Sequence, residues 1–386
     1  MLISMHARRK CLLVLSPGIA CLLLVSMLLM GCDLPASAQG HTFEGKLSVL
    51  QDPKPYILPG QIVLGPDGSL WFPAGVACNT PDQPCGVIEQ LTSDGKFHHF
   101  PMTTPYTYPI EIAFGHDGKL WFSAFQGNGQ LIPMGDQERR FTGGASQLGE
   151  MSQDGTFHLF TLPSPAISAH NIAVGPDDNL WFTDVSSASG SDNAYSNKIG
   201  RVTPSGVFTE FPLTLRKGTD FIDHLIAGPD GNLWFSIDSE LPDYSVFGEM
   251  GRMTPQGTVA IFDLGRFAEP RDMTIGPDNN LWFSDGHNIG RITMDGKVRI
   301  FKTDPGNKVQ TSGITSNSDG AIWFATLNSE VGRVTTDGAF KFYPLPPETH
   351  FDEGASSLDM GHLRGIVSGA DGTLWLTNDD RIGHFV

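Results

Sequence analysis

Positive charge is scarce in this chain: 25 lysines and arginines stand against 42 acids, for a formal net charge of −17. A nucleic-acid surface needs a basic patch to displace counterions. A face lying on a membrane needs Lys and Arg beside its apolar residues. Both classes are excluded, which leaves a small-molecule or peptide-like ligand as the expected partner of a monomer. Long apolar runs are missing too, since beyond residue 31 nothing approaches the roughly 20 residues that span a bilayer. Cysteine is rare: of five, Cys11, Cys21 and Cys32 lie in the first 32 residues. The remaining pair, Cys78 and Cys85 in CNTPDQPC, reads as a disulfide stapling a loop. A metal pair is the alternative, although the spacing is wider than Cys-x-x-Cys and no third ligand is near.

The beginning of the chain is a targeting segment. Arg8, Arg9 and Lys10 precede an apolar run from Cys11 to Met30, interrupted by Ser16, Pro17 and Gly18. The run ends at Leu29-Met30-Gly31-Cys32, the form of a lipoprotein signal of residues 1–31 with Cys32 as the acylated first residue. Ala36-Ser37-Ala38 leaves secretory cleavage after Ala38 open. Either way the expectation is an exported protein, on the outer side of the cytoplasmic membrane or secreted, with membrane contact only through the lipid. Removing the three cations of the signal, with no acid among them, takes the net charge from −17 to −20. Residues 32–41 read as a short linker and 42–386 as the folded body.

That body is a repeat. Its seven tryptophans, Trp71, Trp121, Trp181, Trp234, Trp282, Trp323 and Trp375, are separated by 50, 60, 53, 48, 41 and 52 residues. Around each runs I-x-x-G-x-D-G-x-L-W-F, then a variable stretch, then Gly-Arg within a second apolar segment, then T-x-x-G-x-(F/V)-x-x-F. The shortest copy holds four short apolar or alternating segments separated by Asp-Gly turns, with no helical period. Four strands per 40–50 residues, seven times over, predict an all-β, seven-bladed β-propeller of four antiparallel strands per blade. The last copy stops at its third strand, Ile382-Gly383-His384-Phe385, and Glu44 to Leu50 matches a fourth strand. The ring is therefore expected to close by the N-terminal strand completing the last blade. Repetition marks Leu-Trp-Phe as seam packing, and marks the Gly-Arg arginines as partners of turn acids.

With strands labelled A to D outward from the channel, the A–B and C–D turns are short throughout. Long insertions fall on the other face, in the B–C loops at Gly75–Cys85, Gln126–Ser146, Ser186–Ser196 and Asp238–Phe247 and in the crossover Pro344–Gly361. That loop-rich mouth is the candidate binding face. Five residues before each A–B turn stand Gly60, Ile110, His170, Asp223, Arg271, Ser312 and Arg364. Asp184 and Asp285 end B strands on the same rim, with His224, Glu269, His287 and His362 nearby. A solvated polar channel around trapped water is the bland alternative.

GPDGNLWF at 228–235 and NKIGRVTPSGVFTEFPL at 197–213 resemble the blade pattern of the streptogramin B (virginiamycin B) lyase family, and the likeness runs along the whole mature chain. The resemblance implies a seven-bladed propeller that opens a cyclic depsipeptide ester by Mg²⁺-assisted elimination with a histidine base. The family pattern is a strand-A His in one blade, a Glu-Pro-His-Gly-Ile segment opening the next, and a Glu four residues before that blade's Ile-Gly. In its last two blades this chain departs from the pattern, with Ser312, His362, Arg364 and Asn378. Blades 4 and 5 match better: Asp223 stands for the first His, Glu269-Pro270 for Glu-Pro, Arg271 for the base and Asp285 for the second Glu. Asp223, Glu269 and Asp285 could then hold Mg²⁺ through oxygens. Arg271 offers no base, so His224, His287 or His170 is the substitute, and a salt bridge of Arg271 with Asp285 is an alternative reading. Two functions follow: a metal-assisted lyase on a cyclic ester or lactone-like substrate, or a non-catalytic ligand- or protein-binding propeller lipoprotein. Lactone hydrolysis of the gluconolactonase kind is a third.

Overall fold

The computed structural model describes residues 46–50, 61–75, 86–127, 131–134, 138–141, 145–152, 154–160, 162–163, 169–187, 195–215, 220–241, 245–266, 268–304, 306, 309–327, 330–345, 365–377 and 382–386. Among these residues every regular element is a strand. They form seven antiparallel four-stranded sheets and one added two-stranded ribbon. Six sheets are built from consecutive stretches of chain. The seventh joins Leu47–Leu50 to Ile382–Phe385, with Leu47 opposite Phe385 and Leu50 opposite Ile382. The propeller and its closure by the N-terminal strand are as the repeat predicted. Cys32, Cys78, Cys85, His362 and Arg364 lie outside the described residues, as does the side chain of His170.

Each blade is held to the next by the repeated aromatics. On strand B successive side chains face opposite sides, so the Trp enters one seam and the following Phe the other. Trp282 stacks on Phe301 of its own blade, 5.1 Å between ring centroids. It is buried in one cluster with Ile314, Ile322 and Phe324 of blade 6. Trp181, Trp234, Trp282 and Trp323 are fully buried, and apolar burial on this scale stabilises by several kcal/mol per ring, at about 25 cal/mol per Å². The Phe explains the glycine of Gly-Arg: a Cβ on Gly200, Gly251, Gly290 or Gly332 would run into Phe182, Phe235, Phe283 or Phe324.

The turn acids lock the same seams. Asp177, Asp230 and Asp278 accept the indole N–H of Trp181, Trp234 and Trp282 at 2.8, 3.1 and 2.9 Å. Arg201, Arg291 and Arg333 pair with Asp177, Asp278 and Asp319 at 3.4, 3.1 and 2.8 Å. These arginines also lie over the Trp rings, at 5.2 to 5.9 Å from the centroids. The Gly-Arg arginines thus do pair with turn acids.

The insertions differ from plain loops in two blades. In blade 2 the B–C insertion contains the ribbon Leu131–Met134 with Glu138–Phe141. In blade 4 strands B (Leu233–Glu240) and C (Val246–Met253) run on together through most of Asp238–Phe247.

Candidate functional site

The channel wall is made by the A strands, and several of them are bulged. The pairing of strands A and B shifts register between Pro109 and Glu111, Ala169 and Ile172, Ile222 and Leu225, and Thr311 and Ile314. A bulge frees backbone groups and re-aims side chains. In blades 3, 4 and 5 a hydroxyl two residues after the Trp takes up an amide of strand A: Thr183 accepts from Asn171, Ser236 from His224 and Ser284 from Asp272, at 3.1, 3.0 and 3.2 Å. The residue four before the A–B turn therefore meets the channel as well as the one five before it.

Around the ring that position is occupied by Gln61, Glu111, Asn171, His224, Asp272, Gly313 and Gly365. Three of its polar members bridge to the next blade. Glu111 Oε2 accepts the Ile172 N–H and Asp272 Oδ2 the Ile314 N–H, each at 2.9 Å. Asn171 donates to Asp223 at its carbonyl (2.8 Å) and its Oδ1 (3.0 Å). These contacts position the walls of a cavity of about 370 Å³ lined by Glu111, His224, Arg271 and Asp272 together with residues of blades 1, 6 and 7.

The electrostatics of this cavity favour shared protons. His224 Nδ1 lies 3.9 Å from Asp272 Oδ1. Burial would depress the imidazole, but Asp272, Asp223, Glu111 and Asp238 around it outweigh that and raise it above its ordinary value. Glu111 opens partly onto the cavity yet is hemmed in by protein. Burial first, with Asp223 and Asp272 adding, pushes it up to about 7. Asp272 is likewise raised, chiefly by burial. Asp238 is also pushed up to about 7 by burial and by the charges of Asp223 and Glu269. Glu111 and Asp272, both raised, and one raised imidazole thus share the wall of one cavity.

Of the residues singled out by sequence, His224 and Arg271 line the cavity. Glu269 accepts from Arg271 Nη2 at 2.7 Å, and the pair lies against Gly286. The salt bridge of Arg271 is therefore with Glu269 rather than Asp285. Asp285 is buried and closes its own short loop: Oδ1 accepts the amides of His287 and Asn288, and Oδ2 accepts from Asn288 Nδ2 at 3.2 Å. His287 is tied to that loop, with Nδ1 3.2 Å from the Val309 carbonyl and its own carbonyl accepting from Thr303. Asp184, also buried, lies 3.7 Å from Lys198 of its own blade. Asp223, Glu269 and Asp285 are not brought together as an oxygen cage. Among the described residues no three His, Cys, Asp or Glu side chains are arranged to hold a metal ion. The residues do not fit the Mg²⁺ site expected from the sequence, because the three carboxylates do not converge, Glu269 is taken by Arg271 and Asp285 by its own loop.

Glu111, Asp272 and Asp238 were missed by the sequence reading: the first two stand one residue after the counted position, and Asp238 lies on strand B. The Ser or Thr two residues after Trp181, Trp234, Trp282 and Trp375 accepts the amide of the residue in the second phase and is the signal that marks it.

Comparison with known proteins places the chain. The virginiamycin B lyase family model matches residues 130–241 and 244–385. A virginiamycin B lyase of Nocardia farcinica (strain IFM 10152) is 27% identical over 197 residues, which are 50% of this chain and 61% of that relative. The match thus spans less than two thirds of the relative's length. Among solved structures, a catalytically inactive histidine-to-alanine variant of virginiamycin B lyase from Staphylococcus aureus with quinupristin is 24% identical, with a TM-score of 0.65. It covers 88% of this chain and 99% of its own. A streptogramin B lyase structure gives the same identity and TM-score, over 88% of this chain and 97% of its own. These structures share the fold, and by the extent of the family match the chain belongs to the virginiamycin B lyase family.

Proposed function

We propose that this protein is an exported lyase-like propeller that binds a cyclic ester or lactone-like ligand at the loop-rich mouth of its channel and opens it by elimination. The observation that carries the reading is His224 on the cavity wall beside Asp272 and Arg271. In the reaction the imidazole takes a proton from the carbon next to the one bearing the ester oxygen. The C–H electron pair becomes a C=C double bond, the C–O bond breaks, and the carboxylate leaves within the same, now linear, molecule. No water is consumed. The acids around His224, Asp272 at 3.9 Å among them, stabilise the imidazolium so formed. Because a base must be neutral to accept the proton and this imidazole is raised, activity should climb as pH rises above the ordinary histidine range.

The test is to incubate the purified protein with quinupristin and follow it by chromatography and mass spectrometry. A linear isomer of unchanged mass is expected, with loss of conversion in His224→Ala. A product heavier by one water would replace elimination by hydrolysis. No conversion by wild type at high protein concentration sinks the lyase reading for this substrate and leaves ligand binding without chemistry. Export through residues 1–31, with Cys32 as the lipid anchor, belongs to the same reading, and recovery of the protein in the cytosolic fraction would refute it.

A further inference from the structure

The site has its positive charge built in. Arg271 is fixed by its backbone, whose amide donates to the Ser284 carbonyl at 2.9 Å. Its guanidinium is held by Glu269, lies beside Gly286, and is half-exposed on the wall of the cavity. The carboxylates that could have received a divalent cation do not converge among the described residues, and part of each is engaged elsewhere. Asp285 is closed on its own loop, Glu269 on Arg271, and Asp223 Oδ1 takes a hydrogen bond from Asn171. A hard cation asks for several free oxygens at about 2.0–2.6 Å, and beside Arg271 it would also meet a like charge.

We infer that the Arg271 guanidinium, rather than a divalent cation, is the fixed positive charge of this channel, and that it anchors an ester or carboxylate oxygen of the ligand. The anchoring half rests on the lyase-like reading. A guanidinium suits such anchoring because it carries several N–H donors in a planar fork that matches two oxygens of one group, and because it stays charged. Its placement also meets the chemistry of elimination, in which negative charge gathers on the departing carboxylate. The deeper acids, Glu111 and Asp272, are no substitute cage: among the described residues they join no group of three metal-holding side chains, and backbone amides of Ile172, Met273 and Ile314 take one oxygen of Glu111 and both of Asp272. Near neutral pH Glu111 also shares its proton, burial having pushed it up to about 7.

Two measurements decide this. In the first, the isolated protein is titrated with Mn²⁺ while electron paramagnetic resonance reads the free ion. The expected result is a free-ion signal undiminished at one equivalent. A stoichiometric loss relieved in both Glu269→Gln and Asp285→Asn would overturn the inference, whereas an unrelieved loss puts the ion outside this site and leaves it standing. In the second, quinupristin binding is measured by calorimetry in EDTA for wild type, Arg271→Gln and Arg271→Lys, with thermal unfolding as the check on folding. Losing a charged donor should weaken binding roughly tenfold or more in the glutamine variant, with the lysine variant in between. Equal binding within about twofold refutes the anchor. Absence of any binding removes the anchor together with the lyase-like reading, and the Mn²⁺ titration still decides the charge.

Discussion

The seams between blades and the wall of the channel are made from the same strands, yet they differ in how they use the repeat. At the seams the chemistry recurs: Trp on Phe, Phe over Gly, Arg over Trp and onto the turn Asp. On the wall, equivalent positions run Gln61, Glu111, Asn171, His224, Asp272, Gly313 and Gly365, a different side chain in almost every blade. A position that repeats answers a need every blade has, namely to bury its flanks. A position that varies answers a need the ring has once, and the titratable cluster around the cavity is such a need.

The largest test of this contrast is at a seam. Trp282→Ala empties a fully buried site and removes one donor from Asp278, and should cost about 3–5 kcal/mol of unfolding free energy in urea. A cost below about 1 kcal/mol would mean the seams do not hold the ring as described. Next, Gly290→Ala sets a methyl against the Phe283 ring and should cost about 1–3 kcal/mol, measured the same way. An unchanged midpoint would show that the glycine serves something other than the Phe.

On the channel wall the sign should reverse. Glu111 has a folded-state value above its unfolded one, raised from 4.5 to about 7. Its favourable contribution is therefore complete below about 4.5 and is lost as pH climbs through about 7. Glu111→Gln keeps an acceptor for the Ile172 amide and removes the buried charge. It should stabilise the protein by about 1–2 kcal/mol at pH near 8 and make no difference near pH 4, as read from urea unfolding at both. Destabilisation at the higher pH would show that the charge itself holds blade 3, and the wall would then belong with the seams.

The fold was legible because its signal is repeated: seven tryptophans at strand-sized intervals, with turn residues between, leave little choice of architecture. The site was legible only in part. Arg271 could be placed by counting back five residues from the turn, since strand A carries the chain from the loop-rich face into the channel, and His224 was noticed only as the neighbour of Asp223. Glu111 and Asp272 could not be placed by that count, because they stand one residue later, where a bulge in the strand of Glu111 turns a second phase inward. Asp285 and His287 misled in the opposite direction. A short loop with an acid and an imidazole has the composition of a reactive site, and here the acid's oxygens cap the loop's own amides. Composition names the groups, and hydrogen bonding decides which are free to act.

The union of Leu47–Leu50 with Ile382–Phe385 also bears on how the molecule comes into being. During synthesis the first strand must wait for almost the entire chain before its partner exists, a contact of extreme sequence separation. Blades 1 to 6 can each pair locally, but the ring stays an open arc until Ile382–Phe385 is available to the first strand. The clasp then makes the fold all-or-none at its two ends, so that damage to either strand leaves two unprotected blade flanks rather than one frayed terminus.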